Sequence, residues 1–162
     1  MFRGDQVRDQ WGEPPNSGRC TTPTNVQAIN IAILFGLMKK HELRVADATK
    51  AFLQALLDAT EETYVLLPPE MWHPSWIGRY HKPAVKLCRA LYGHPLASAF
   101  WEKHLKRILV EALGLVIAEG HPSAFYHPQW ELLVVVYVDD ILASGPSSSQ
   151  DLFWDALKGH VH

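Results

Sequence analysis

The sequence predicts an α+β fold in which an antiparallel sheet is covered by helices packed on one face. Strand-like segments and two long helical segments follow one another in the order αβ…αββα, which is typical of hairpins rather than of repeated βαβ units. Apolar residues make up 48% of the 162 residues. That share is ordinary for a globular protein and sufficient for one domain with its own core.

The first 22 residues are rich in Gly, Pro, Asn and charge, which predicts an irregular lead-in before a folded region over 23–162. Pro23 suits the first turn of a helix capped by Thr22, and this helix is predicted to run to Lys40. Because it is apolar nearly all round, we expect it to be buried on more than one side.

Short strands are predicted over 43–47 and 64–67 from their alternating or β-rich residues. The Pro- and Trp-rich stretch 68–83 is expected to be a long loop. The clearest amphipathic helix is predicted over 95–113, where apolar residues recur at helical spacing.

The C-terminal third predicts a hairpin followed by a helix. Strands over 125–127 and 132–137 are joined by a short connection, and the apolar run continues beyond a turn into 141–143. Ser147 is expected to cap a last helix that ends at Lys158.

Two adjacent carboxylates, Asp139 and Asp140, lie at the predicted turn after the Val-rich strand. An unpaired buried carboxylate costs several kcal/mol, so something must compensate this pair. A hairpin with two carboxylates at its tip suits Mg²⁺, which prefers oxygen ligands. A solvated turn is the alternative, because Asp is also a common turn former. The residue types alone are compatible with a metal site and with a solvated turn.

A third carboxylate, Asp47, ends the strand over 43–47. Phosphoryl transfer with two metal ions about 4 Å apart needs carboxylates from separate strands, and Asp47 would supply the second wall of such a site. Its alternative is to cap the helix or turn that follows.

Four motifs occur in order along the chain. They are Asp47-Ala-Thr-Lys-Ala-Phe-Leu-Gln54, Tyr64-Val-Leu-Leu-Pro-Pro-Glu70, Lys86-Leu-Cys-Arg-Ala-Leu-Tyr-Gly93 followed by Trp101, and Tyr137-Val-Asp-Asp140. In order and spacing they resemble the reverse transcriptase domain of Ty1/copia-type retrotransposon polyproteins. The resemblance covers nearly the whole chain. It implies a polymerase palm and the activity of an RNA-directed DNA polymerase, which transfers a nucleotidyl group from a dNTP to a primer 3′-OH.

The resemblance also implies the metal ligands. Asp47 and Asp139 would be the principal catalytic ligands of two Mg²⁺ ions, with Mn²⁺ as a substitute, and Asp140 would be a weaker ligand beside them.

Three further residues would bind substrate by the same resemblance. Phe52 falls where the family carries the aromatic ring that blocks a ribose 2′-OH, although a core role explains it equally. Tyr137 would lie near the primer terminus. Lys158 would donate a proton to the departing pyrophosphate, or else be a solvated lysine at a helix end.

The chain departs from the family after Leu-Tyr-Gly. Where the family usually reads Leu-Lys-Gln-Ala-Pro-Arg, this chain has residues 94–99, His-Pro-Leu-Ala-Ser-Ala. Leu96 replaces the Gln that is expected to contact the nucleotide or template, and a leucine side chain cannot hydrogen-bond. His94 is the nearest candidate to replace it. A divergent lineage and a decaying copy both remain open.

A net charge of −2 gives no overall basic field for gripping a template-primer. We therefore expect a truncated segment of a longer reading frame, inactive by itself, whose partners are the template-primer, dNTP and the polyprotein's missing fingers, thumb and RNase H segments. The alternative is a non-catalytic remnant that folds as a palm and at most binds nucleic acid or protein. A metal nuclease would explain neither Phe52 nor the ordered motifs.

Cys20 and Cys88 are isolated thiols with no CxxC spacing, so neither a zinc site nor a disulfide framework is indicated. The longest apolar stretches, 29–38 and 132–138, fall far short of the ~20 residues that span a bilayer. We expect an intracellular protein without a membrane partner, located in the cytoplasm or in a virus-like particle.

Overall fold

The computed structural model describes residues 7–8, 12–13, 26–57 and 62–162. The helices are α1 (Val26–Gly36), α2 (Ala51–Gln54), α3 (Ala97–Arg107) and α4 (Ser147–Lys158). The strands are β1 (His41–Asp47), β2 (Tyr64–Leu66), β3 (Ala84–Lys86), β4 (Val116–Ala118), β5 (His121–His127), β6 (Leu132–Tyr137) and β7 (Asp140–Pro146). The predicted lead-in over 1–22 lies outside the described residues except for 7–8 and 12–13.

Five strands form one sheet in the order β1-β7-β6-β5-β4, and every neighbouring pair is antiparallel. Short connections join β5 to β6 and β6 to β7, as the apolar runs separated by turn residues predict. β2 and β3 pair with each other in a separate two-stranded sheet. The prediction of an α+β fold with an antiparallel sheet is confirmed.

The main core lies between one face of the sheet and the helices α3 and α4. Alternate residues of the central strands, such as Val134 and Ile141, project from this face, as the period of two in a strand requires. They pack with Trp101 and Leu105 of α3 and with Phe153 of α4, all of which are fully buried.

The opposite face carries α1, so the prediction that helices cover one face is wrong. Ala28 and Ala32 of α1 pack on Val135, whose side chain projects away from the main core. Gly36 lies so close to β1 and β7 that an added Cβ would come within 2.8 Å of Leu43 Cβ and of the Ser144 hydroxyl. A stripe of small residues thus brings α1 against the sheet.

The extent and burial of α1 also differ from the prediction. Pro23 and Thr22 lie outside the described residues, and the helix ends at Gly36 rather than at Lys40. Its buried residues all belong to the stripe of small side chains, whereas Leu37 is 77% exposed. The expectation of burial on several sides is wrong, because α1 packs on the sheet through one stripe only.

Smaller differences concern element boundaries and short strands. The helix predicted over 95–113 is α3 followed by a π-helical turn over Ile108–Ala112. Strands β3 and β4 were not predicted. Ser147 is the first residue of α4 rather than its cap, and its hydroxyl donates to the Lys40 carbonyl at 3.3 Å. In the described ranges no helix combines the length and the apolar character that crossing a membrane requires.

Candidate active site

Three predicted site residues form a row across three neighbouring strands. Asp47 of β1 is the cross-strand partner of Asp140 of β7, and Asp140 is the partner of Tyr137 of β6. Directly opposite residues in an antiparallel pair project from the same face. The structure therefore brings two of the three carboxylates together with the tyrosine at one end of the sheet.

The third carboxylate, Asp139, lies in the two-residue connection between β6 and β7, after Val138. Val138 has a φ of 53°, a left-handed conformation that is a genuine outlier for a β-branched residue. Two-residue hairpin loops usually place Gly where such a φ is needed. The connection is therefore strained, and the surrounding structure must hold it.

Two hydrogen bonds hold this connection from outside the hairpin. The indole N–H of Trp101 donates to the Val138 carbonyl at 2.7 Å, and Trp101 is only 1% exposed. The backbone N–H of Ala48 donates to the Asp139 carbonyl at 2.9 Å. The strained turn is thereby tied both to α3 in the core and to the residue that follows Asp47.

The carboxylate of Asp139 is poorly compensated. Its Oδ1 is buried and has no hydrogen-bond partner among the residues that the structure describes. Burial raises the pKa of Asp139, and the negative charges of Asp47 and Asp140 raise it further. The three acids thus lie close enough to repel one another, and a cation would relieve that repulsion.

The residues present fit a hard divalent cation. All donors at the site are carboxylate oxygens, which Mg²⁺ and Mn²⁺ accept. Within the described ranges no three His, Cys, Asp or Glu side chains converge as a ready-made metal cage. Mg²⁺ does not need one, because it commonly binds through one or two carboxylates, with water and substrate phosphates completing its shell. Asp47 and Asp139 would be those two ligands, with Asp140 beside them.

Phe52 lies on α2, which begins four residues after Asp47. Lys50, in a left-handed conformation with φ 53°, separates the end of β1 from this short helix. Phe52 is half-buried against the main core, and its ring centroid lies 4.7 Å from that of Tyr92. Because Phe52 is only half-buried, it can pack against the core and still present part of its ring to a sugar.

Sequence reasoning missed Tyr92. Burial raises the pKa of its phenol, and the charges of Asp139 and then Asp47 raise it further. The residue as a whole is still 48% exposed. Its motif, Leu91-Tyr-Gly93, could have marked Tyr92 as a candidate site residue. The contact with Phe52, however, depends on long-range packing that no local pattern reveals.

His94 is held by hydrogen bonds within the chain, which does not favour it as the replacement for the family's glutamine. Its side chain is buried, and its Nδ1 accepts from the backbone N–H of Leu96 at 3.1 Å. The other nitrogen, Nε2, must then carry the proton, and it donates to the Thr63 hydroxyl at 3.0 Å. His94 thus shapes the turn before α3.

The other two predicted substrate-binding residues, Tyr137 and Lys158, lie in different environments. Tyr137 is 56% exposed at the acidic end of β6, beside Asp140. Lys158 lies at the end of α4 and forms an ion pair with Asp155 at 3.2 Å. Among the ion pairs of the described residues, none joins Lys158 to the three aspartates at the hairpin, which favours the solvated helix-end lysine.

No protein-family model matches the chain. The likeness to a family therefore rests on the four ordered motifs.

Proposed function

We propose that this chain is the palm of an RNA-directed DNA polymerase of the Ty1/copia type. One observation carries the proposal: Asp47 and Asp140 face each other across two strands, beside a strained turn that holds the poorly compensated Asp139. Strain and unpaired charge both reduce stability, and they concentrate at sites where function requires them.

The chain's own residues would position the reactants. Asp47 and Asp139 would hold Mg²⁺, and the hydrogen bonds from Trp101 and Ala48 to the turn would keep Asp139 in place. The bound metal would lower the pKa of the primer hydroxyl and neutralise charge on the triphosphate. Phe52 would lie against the sugar of the incoming nucleotide, and Tyr137 would lie beside the primer end. Catalysis of this kind is mostly positioning and electrostatic stabilisation.

The template-primer needs further partners. With a net charge of −2, this chain supplies no basic field for nucleic acid. Its Arg44, for example, is engaged by Glu42 and by Asp151 at 2.6 Å. Fingers, thumb and RNase H segments of a longer protein would supply the basic surface that binds the template-primer.

Iron-directed cleavage tests the metal site directly. Fe²⁺ replaces Mg²⁺, and with ascorbate and peroxide it generates radicals that cut the nearest backbone. We expect cuts near 47 and 138–140 that excess Mg²⁺ suppresses and that Asp47→Asn and Asp139→Asn abolish. Asp155→Asn, on the exposed side of α4, is the matched control and should leave the cuts unchanged. Cuts elsewhere would overturn the proposed site.

Nucleotide binding tests the class of reaction. In equilibrium dialysis, the chain should bind dATP with Mg²⁺ and lose that binding with EDTA or with Asp139→Asn. Metal binding without any nucleotide binding would leave a metal site but contradict a polymerase palm.

A non-catalytic remnant is the second candidate, favoured by the segment around Leu96. The family's glutamine is absent there, and His94 is engaged elsewhere. A remnant would bind a template-primer or a protein equally well with Asp47 and Asp139 intact or replaced by asparagine. It would bind neither Mg²⁺ nor dATP at the hairpin.

A further inference from the structure

Phe52 contacts both the main core and a neighbouring aromatic ring. It is half-buried and packs against the main core of the protein. The ring of Tyr92 contacts it with centroids 4.7 Å apart and planes tilted by 48°. Tilted and edge-on ring pairs at such distances are attractive and directional, so Tyr92 restricts the orientation of Phe52.

Tyr92 is itself anchored through the segment that precedes it. The guanidinium of Arg89 donates to the carbonyls of Leu53 and Gln54 at 3.0 and 3.1 Å, and Ala90 N–H donates to the Ala55 carbonyl at 3.1 Å. These bonds tie residues 89–90 to the end of α2. Tyr92 therefore approaches Phe52 from a segment attached to the same helix.

Burial raises the pKa of the Tyr92 phenol, and the charges of Asp139 and Asp47 raise it further. Within the described part of the chain the Tyr92 hydroxyl has no hydrogen bond. Tyr92 therefore contacts Phe52 through its ring and not through its hydroxyl.

We propose that Tyr92 is a positioning residue that holds the ring of Phe52 in the orientation that excludes a ribose 2′-OH. The proposal rests on the proposed function and adds the residue on which sugar selection depends. The ring of Phe52 can exclude a 2′-OH only if it cannot rotate out of the way. The contacts of Phe52 with the core and with Tyr92 together limit that movement.

The test compares the affinities of the chain for dATP and ATP, each with Mg²⁺. Wild type should prefer dATP. Tyr92→Phe retains the ring and should retain the preference. Tyr92→Ala removes the ring and should reduce the preference by roughly tenfold, mainly by admitting ATP, since a loosely shaped pocket cannot reject an added hydroxyl strongly. Tyr92→Leu fills part of the volume without a ring and should resemble Tyr92→Ala.

Two controls separate positioning from general damage. Tyr80→Ala removes a tyrosine of similar exposure, 50%, from the loop between β2 and β3, and should leave the preference unchanged. Phe52→Ala should lose the preference by itself, and adding Tyr92→Ala to it should cost nothing more, because residues acting as one unit are non-additive. The rise in Tm on adding Mg²⁺ should persist in every Tyr92 variant, which shows that they fold.

Each contrary result has its own meaning. A Tyr92→Ala or Tyr92→Leu protein that keeps the preference overturns the positioning role and leaves the proposed function intact. Equal losses in Tyr92→Phe and Tyr92→Ala would assign the effect to the hydroxyl and also overturn it. A wild-type chain that binds both nucleotides equally refutes the role of Phe52 and this inference together. Absence of nucleotide binding by wild type refutes the proposed function as well.

Discussion

Asp47, the last residue of β1, is the cross-strand partner of Asp140, the first residue of β7. Like charges directly opposite one another destabilise a sheet. Asp139 adds a third carboxylate, with one buried oxygen that no group in the described chain satisfies. The arrangement reduces the stability of the protein, and in the proposed site a cation would relieve the repulsion.

Replacing Asp139 by asparagine should stabilise the metal-free chain. The raised pKa of Asp139 means that its folded carboxyl gives up a proton less readily than the unfolded one. The protonated carboxyl of Asp139 therefore contributes to the free energy of unfolding. This contribution is fully present below the ordinary pKa of 3.8, and it is lost as the pH rises through the raised pKa of the folded state. In EDTA at pH 7, Asp139→Asn should raise Tm by about 2 °C, a typical shift for a change below 1 kcal/mol in a domain of this size.

The measurement is a thermal melt at several pH values. The advantage of Asp139→Asn should shrink as the pH falls towards 4. Asp155→Asn, at the exposed ion pair with Lys158, should show no such pH trend. A lower Tm for Asp139→Asn at pH 7 would contradict the assigned repulsion.

Divalent cations should stabilise the wild-type chain. A ligand that binds only the folded state raises stability by mass action, by about 2.7 kcal/mol at a concentration of 100 Kd. The double change Asp47→Asn, Asp139→Asn should abolish the rise in Tm with Mg²⁺ or Mn²⁺, whereas Asp151→Asn, Asp155→Asn should retain it. An unchanged response in the first variant would move the cation elsewhere.

Trp101→Phe should weaken the cation response without removing any ligand. The change leaves the Val138 carbonyl without its indole donor, which costs about 1–3 kcal/mol, and it releases the strained turn. Titration with Mg²⁺ should show a lower affinity.

Trp154→Phe is the matched control for Trp101→Phe. It removes an indole bond to Gln150 Oε1 at 2.9 Å, on α4 rather than at the turn. We expect a loss of stability but an unchanged Mg²⁺ affinity. Equal losses of affinity in both variants would mean that the effect is general destabilisation.

The chain by itself should extend a primer little or not at all. Positioning of a template-primer needs basic surface, and the net charge here is −2. The assay is single-nucleotide incorporation on a labelled RNA–DNA duplex, with Asp139→Asn as the blank. Robust extension that Asp139→Asn abolishes would show that this chain suffices as an enzyme.

Leu96→Gln distinguishes a divergent site from a decayed one. Leu96 immediately precedes α3, and its N–H is held by His94, so the substitution alters the side chain without disturbing that bond. In a decayed copy, a restored hydrogen bond of about 0.5–1.5 kcal/mol should lower the KM for dNTP by up to roughly tenfold. In a divergent site the KM should change little. Steady-state incorporation by a chain extended with its flanking segments measures it, and a clear loss of activity would contradict decay.

Local sequence determined the elements around the site. The apolar run 132–136 and its continuation over 141–143 predicted β6 and the strand after it. Of the acidic pair expected at the turn between them, Asp139 lies in the turn and Asp140 begins β7. Strand β1 ending at Asp47 and the helix ending at Lys158 were also predicted. These features depend on neighbours in the chain, whose spacing already encodes which face is buried.

Contacts between distant residues depend on packing that no local period encodes. α1 lies on the second face of the sheet because its small stripe, including Gly36, allows a close approach to β1 and β7. The indole of Trp101 reaches Val138, His94 turns inward to Thr63, and Tyr92 meets Phe52. Each joins residues at least 31 positions apart, so each forms only when the whole fold brings its segments together.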